Sequence, residues 1–305
     1  MDRLSRSWEL FQCSLRLMRD HPKLLVFPFL IDVFTIGVLL FFLVPVVVAF
    51  AASKLAPGWL GPDGPLPQVH LPAWIPAAFH SLSGPIAFLG FAAVYLLSML
   101  VATFCNVAFY NEILEGLNGQ PVSIRRGIRV AAGRFQAILF WSLLAGLVGL
   151  CIQRVEQRFS LIGRLIAGVL GVAWSVASIF AIPLLIRDRS TANPVAILKG
   201  SARTIRATWG EALVGYVGLK GMDAFLLLVS IPYWIAAGVS AFFISAWVLA
   251  AMGLVWVLAV LVYGYLVGIA SKAYLCALFI YATEGVVATP YDASMMDMAW
   301  KLKQT

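Results

Sequence analysis

The chain has 305 residues, of which 62% are hydrophobic and 12% charged, and its formal net charge is +8. Soluble domains carry about a quarter charged residues, and polar side chains this sparse cannot cover so much apolar surface in water. The composition excludes an ordinary soluble domain. The basic residues flank apolar blocks, which points to a membrane surface rather than to nucleic acid.

A segment carrying Arg3, Arg6, Arg16, Arg19 and Lys23 precedes the first apolar block, Leu24–Ala52. That block runs too long for a secretory leader and is expected to be a retained span. Residues 53–83 follow, with Pro57, Pro62, Pro65, Pro67, Pro72 and Pro76, and are expected to form an outer loop because proline breaks helices. Further spans are predicted over Ile86–Tyr110, Gln136–Ile152, Leu165–Ile186, Ala212–Ala237 and Met252–Ala282. Each block holds roughly 20 continuous apolar residues, and only helices or closed barrels satisfy the backbone in hydrocarbon. The blocks do not alternate, so helices are expected. No charge lies between Asp223 and Lys272, a stretch that holds two spans and a short connection near Gly238–Ser240. Part of Ala241–Ala251 is expected either to re-enter the membrane or to lengthen the last helix.

Sixteen lysines and arginines flank one side of this arrangement and four the other. Basic loops stay in the cytoplasm, so both termini are expected there. Three basic segments share a 4-3-4 apolar spacing: Leu4, Trp8, Phe11, Leu15; Ile124, Ile128, Ala131, Phe135; and Leu198, Ala202, Ile205, Trp209. The spacing puts each set on one helix face, as in helices that lie in the interface plane. The candidate head-group contacts on the other faces are Arg16 and Arg19, Arg125 and Arg129, and Lys199, Arg203 and Arg206. The fold class read from this pattern is an all-α integral membrane domain over residues 1–305 with six transmembrane helices. Amphipathic helix plus hairpin repeats three times, over 3–110, 122–186 and 194–282. A last amphipathic segment with Met295, Ala299 and Leu302 closes the chain.

Several short stretches, in order, resemble a known family. They include Arg6-Ser7-Trp8-Glu9-Leu10-Phe11, Leu24-Leu25-Val26-Phe27-Pro28 and Phe104-Cys105-Asn106. Gly119-Gln120-Pro121-Val122-Ser123, Gly171-Val172-Ala173-Trp174-Ser175, Thr208-Trp209-Gly210-Glu211-Ala212 and Ala277-Leu278-Phe279-Ile280-Tyr281-Ala282 continue the set. Together they resemble an uncharacterised family of prokaryotic multi-pass membrane proteins, domain of unknown function 6159. The resemblance implies a six-helix membrane fold in a prokaryotic plasma membrane and no activity. A fainter likeness is to the membrane domains attached to glycerophosphodiester phosphodiesterases. Their catalytic domain has no counterpart here, so that activity does not carry over.

Charges inside spans are costly and are candidate functional groups. Lys220 and Asp223 lie three residues apart on one face of the fifth span, with Glu211 nearer its cytoplasmic end. Asp32 lies about two turns into the first span and is a partner for Lys272 or Lys220. Lys272 is expected to snorkel to the head groups. Asn106 is a candidate for an interhelical hydrogen bond, and Asn111 and Glu112 gather at the end of the same span. Cys13, Cys105, Cys151 and Cys276, and His21, His70 and His80, lack metal-ligand spacing, so no metal or cofactor is expected. No phosphate loop, nucleophile elbow or His-Glu zinc motif occurs. The expected function is non-enzymatic interaction with anionic lipid head groups, in envelope organisation or lipid homeostasis. The alternative is a small-solute or lipid transporter with Glu211, Lys220 and Asp223 in its pathway. An embedded lipid enzyme is a third reading.

Overall fold

The computed structural model describes residues 3–34, 36–38, 40, 85–158, 161–207, 226, 228–240, 242 and 245–292. Every regular element among them is helical. In chain order these are α1 (Arg3–Asp20), α2 (Pro22–Val38, opening with a 3-10 turn), α3 (Pro85–Leu117), α4 (Ile124–Gly133) and α5 (Phe135–Arg158). They continue with α6 (Leu161–Ala177), α7 (Ala181–Arg187), α8 (Pro194–Ala207), α9 (Leu228–Ser240) and α10 (Ala246–Glu284).

Four helical stretches are long and apolar enough to cross a bilayer: Ala92–Leu117, Phe135–Arg158, Gly163–Arg187 and Trp247–Glu284, with mean hydropathies of 1.9 to 2.3. They make this a membrane protein. A fifth candidate is the bent pair Glu9–Asp20 and Pro22–Val38, which meet at 104°. Four of the six expected spans, the second, third, fourth and sixth, fall on these helices with shifted bounds. The helix expected over Ile86–Tyr110 runs on to Leu117, because Asn111 and Glu112 are buried against neighbouring elements instead of ending it. The span expected over Leu165–Ile186 is broken between α6 and α7. Pro183 is the reason: its ring cannot coexist with a helical carbonyl four residues earlier, at Ile179, and it has no N–H to donate. The Phe180 N–H freed by the break donates instead to Ser201 Oγ on α8, at 3.1 Å.

The expected last helix, Met252–Ala282, begins at Ala246, so part of Ala241–Ala251 lengthens it. Ser245 caps it, accepting from the Trp247 N–H, and Gly285 closes it at φ +69°, a left-handed conformation that favours glycine. Most of the first span after Val38, the proline-rich loop, residues 208–225 of the fifth span and its approach, and the tail segment with Met295, Ala299 and Leu302 lie outside the described residues.

The core sits at one end of the bundle. On α10 every residue from Ile269 to Tyr281 except Lys272 is buried, whereas Leu254, Val255, Leu258, Leu261 and Val262 are exposed. On α3 the buried run is Val107–Leu117, apart from Tyr110 and Glu115; on α5 it is Ala137, Ile138, Trp141 and Ser142. Leu147 on α5 and Leu165, Val169 and Val172 on α6 are exposed. Apolar side chains open on the outside are what a lipid environment allows, since acyl chains cover them as well as protein does. α1, α4, α7 and α8 pack where the long helices are buried. Ser14 on α1 bonds Tyr291 at 2.8 Å, which ties the start of the chain to the segment after α10.

Helices α1, α4 and α8 bury a line rotated about one position from the 4-3-4 stripes. α8 buries Ile197, Ser201 and Ile205; α4 buries Gly127 and Ala131; α1 buries Leu10, Cys13, Ser14, Leu17 and Met18. Phe11 and Ala131, from the stripes, are buried, while Ile128 and Phe135 stay exposed at 45% and 49%. The stripe therefore divides between protein and surroundings.

Gly127 is where α4 comes closest to α3. A Cβ there would lie 2.8 Å from the Ala108 carbonyl oxygen and 3.0 Å from Glu112 Cγ. Backbone cannot yield as a flexible side chain does, so Gly127→Ala should destabilise by ~1–3 kcal/mol. Gly133 faces open space, and Gly133→Ala should be neutral or better. Melting temperatures of both variants in detergent check this; equal values would contradict the close approach.

Candidate functional site

The packed end carries the basic residues. Arg16 and Arg19 on α1, Arg125 and Arg129 on α4, and Lys199, Arg203 and Arg206 on α8 are all exposed. Each belongs to a helix whose opposite line is buried in the core, so the charges face outward by construction.

Glu112 organises the middle of this end. Its side chain is fully buried, and Arg126 reaches it with two parallel bonds, Nε to Oε1 at 3.0 Å and Nη2 to Oε2 at 2.8 Å. The Ser123 N–H donates to Oε2 at 2.6 Å and Asn111 Nδ2 to Oε1 at 3.0 Å. The carboxylate therefore sits at the start of α4, where free backbone N–H groups favour negative charge. Its hydrogen bonds raise the Arg126 guanidinium further above its ordinary range. Glu115 is a more distant partner of Arg126, at 3.8 Å.

Arg134 lies between α4 and α5. Its guanidinium donates to four carbonyls, those of Leu185, Asp188, Arg189 and Thr191, at 2.5–3.2 Å. These are the acceptors left open where α7 ends. The Asp188 carboxyl is held below its usual range by the Ser190 hydroxyl and N–H, against slight burial and with help from Arg134. Arg187 pairs with Glu284, joining the ends of α7 and α10.

Of the expected intramembrane group, the structure brings together Asp32, Lys272 and the aromatic residues beside them. Lys272 Nζ lies 5.3 Å from the Phe109 ring centroid, a cation–π distance, and Phe27 stacks on the same ring at 5.7 Å. Asp32, exposed on α2, acts on Lys272 through space. Tyr265, two turns before Lys272, donates to the Leu25 carbonyl and ties α10 to α2. Asn106 Nδ2 bonds its own helix at the Ala102 carbonyl, at 2.9 Å. The buried Asn106 Oδ1 and Ser142 Oγ have no hydrogen-bond partner among the described residues. Glu211, Lys220 and Asp223 lie outside the described residues. Cys13 and Cys276 are buried, Cys105 is half-buried and Cys151 is exposed; all four are free.

The model of a protein family described as "Family of unknown function (DUF6159)" matches residues 86–289, about two thirds of the chain. The chain belongs to this family. The matched region runs from α3 past the end of α10, and so contains Glu112, Arg126, Arg134 and Lys272. No curated protein and no solved structure is significantly similar to the chain.

Sequence reasoning registered Glu112 only as a polar residue near a helix end, and Arg126 and Arg134 only as flanking charges. The signal that pairs Glu112 with Arg126 is a turn between them, Gly119-Gln120-Pro121, that folds α4 back on α3.

The burial asymmetry predicts an unequal pair of mutants. Arg126→Met strands the fully buried Glu112 carboxylate, which costs ~3–5 kcal/mol. Glu112→Gln keeps an acceptor for Ser123, and Arg126, whose side chain is 32% exposed, can turn to water. Thermal melts in detergent should rank Arg126→Met clearly below Glu112→Gln, with the double variant recovering much of the difference. Equal losses for the single variants would contradict the arrangement.

Proposed function

We propose that this protein holds anionic phospholipid head groups against the basic end of its bundle, as a non-enzymatic component of envelope organisation or lipid homeostasis. The observation that carries the reading is the two-sided character of α8. Ile197, Ser201 and Ile205 are buried in the protein, while Lys199, Arg203 and Arg206 are exposed on the same helix. A helix so placed at the ends of apolar spans presents its cations at head-group depth. Basic residues near an anionic surface attract it by about 1 kcal/mol each. α4 offers the same combination, with exposed Ile128 beside Arg125 and Arg129.

The finer architecture belongs to the same proposal. The chain crosses a prokaryotic plasma membrane six times, with both termini and the basic end in the cytoplasm. α1, α4 and α8 are then in-plane helices of three repeats, each leading into a hairpin. The exposed aromatic residues Trp247 and Trp234, on the apolar halves of α10 and α9, suit the opposite, outer interface.

One set of variants tests both halves. In intact cells, a cysteine introduced at Gln157 should react with an impermeant maleimide and one at Asn193 should not. The purified Lys199→Gln, Arg203→Gln, Arg206→Gln triple variant should keep its melting temperature and carry severalfold less anionic lipid by mass spectrometry. Unchanged lipid content, or external labelling at Asn193, would sink the reading.

A further inference from the structure

A cleft of about 410 Å³ opens beside the C-terminal end of α4, lined by Arg129, Val130, Gly133, Arg134 and Arg189. Its volume falls in the range of small-ligand sites, ~300–1,000 Å³. Three of its five lining residues are arginines, drawn from α4, from its junction with α5, and from the loop after α7. Like charges gathered in one cleft repel unless an anion sits among them.

The backbone of this place should by itself repel anions, because α4 and α7 both end here and helix C-termini expose carbonyls. Arg134 removes that obstacle. Its guanidinium occupies the carbonyls of Leu185, Asp188, Arg189 and Thr191 and pins the loop that carries Arg189. The neighbouring Asp188 carboxylate is engaged by the Ser190 N–H, at 2.9 Å, and by the Ser190 hydroxyl. Arg129 and Arg189, both exposed, are the groups left to bind. Guanidinium groups match phosphate oxygens in bidentate geometry, which an ammonium does not.

The position along the membrane axis narrows the ligand. Phe135, the first residue of spanning helix α5, follows Arg134 directly, and Arg189 comes two residues after the spanning stretch that ends at Arg187. The cleft thus lies where apolar helices give way to polar chain. Ile128 and Phe135 stand exposed on the same elements, as apolar neighbours for an acyl chain.

We propose that this cleft is a specific phosphate site, shaped for the phosphodiester of one anionic phospholipid, with Arg129 and Arg189 as its ligands and Arg134 as the residue that positions them. The site rests on the lipid-binding reading for the source of its phosphate. The general reading needs only a charged surface. This one needs a single saturable position.

The test is native mass spectrometry of the full chain in detergent, titrated with phosphatidylglycerol and, separately, with inorganic phosphate. The wild type should hold one phosphatidylglycerol after weaker adducts are removed. Arg129→Gln with Arg189→Gln should weaken that retention about tenfold or more. Arg158→Gln with Arg164→Gln, which removes as many exposed charges away from the cleft, should leave it unchanged. Gly133→Phe keeps every charge, and its Cβ meets nothing within 4 Å, so it should fold and fill the cleft, with the same loss. Displacement of the lipid by millimolar phosphate would identify a site that also takes free phosphate; resistance to it would identify the lipid headgroup as the ligand. Retention in Gly133→Phe and the arginine double variant equal to wild type would overturn the site while leaving the general reading intact. Failure of every form, wild type included, to retain anionic lipid would remove both.

Discussion

The arrangement depends on one buried carboxylate. The Glu112 side chain is fully buried inside a membrane protein, and it is satisfied from three directions by Arg126, the Ser123 N–H and Asn111. An isolated charge buried like this would be prohibitive, so the groups around it are obligatory. Meeting that requirement turns α4 back along α3, and Gly127 lets the two backbones touch. The same turn delivers Arg129 and Arg134 to the end of α7. The placement of the basic face of α4 is therefore a consequence of how one carboxylate is paired.

The molecule divides along its length. α10 has 39 residues and α3 has 33, which is about 58 and 50 Å of helix against ~30 Å of hydrocarbon. The excess is accounted for at the packed end. There Leu185, Ile197, Phe279 and Phe180 bury one another, with the Phe180 and Phe279 rings 5.8 Å apart. The other halves of the same helices leave their apolar side chains outside. Helices in lipid gain little from burying apolar surface against each other, whereas chain that meets water must bury it. Lys272 lies just inside the packed end, about 38 Å along α10 from Trp247. There its Nζ lies over the Phe109 ring.

Much of this was legible in the sequence, and the rest was hidden for physical reasons. The apolar blocks declared the long helices because hydrocarbon demands them. Their ends were obscured because Asn111 and Glu112 read as a helix terminus until their partners are known. The break before α7 was signalled by Pro183 alone, and Ser201, which satisfies it, looks in sequence like any small residue. Helices α1, α4 and α8 were visible by their period, but the buried line in α8 contains Ser201 and in α4 contains Gly127, so hydrophobicity pointed one position away. The head-group candidates Arg16, Arg19, Arg125, Arg129, Lys199, Arg203 and Arg206 are exposed, as their helix faces suggested. Arg134 was indistinguishable from them, although it binds the protein's own backbone, because a capping role depends on a loop 51 to 57 residues away.

The central claim is that the buried, basic end lies outside the hydrocarbon while the exposed apolar halves lie within it. Spin labels on α10 in bilayers test it most directly, placed singly at Val255, Leu261, Gly268 and Thr283, all exposed positions. Collision with oxygen should dominate at Val255 and Leu261, collision with a water-soluble nickel chelate at Thr283, and the two should exchange near Gly268. Oxygen dominating at Thr283 as strongly as at Leu261 would place the packed end inside the membrane and contradict the account.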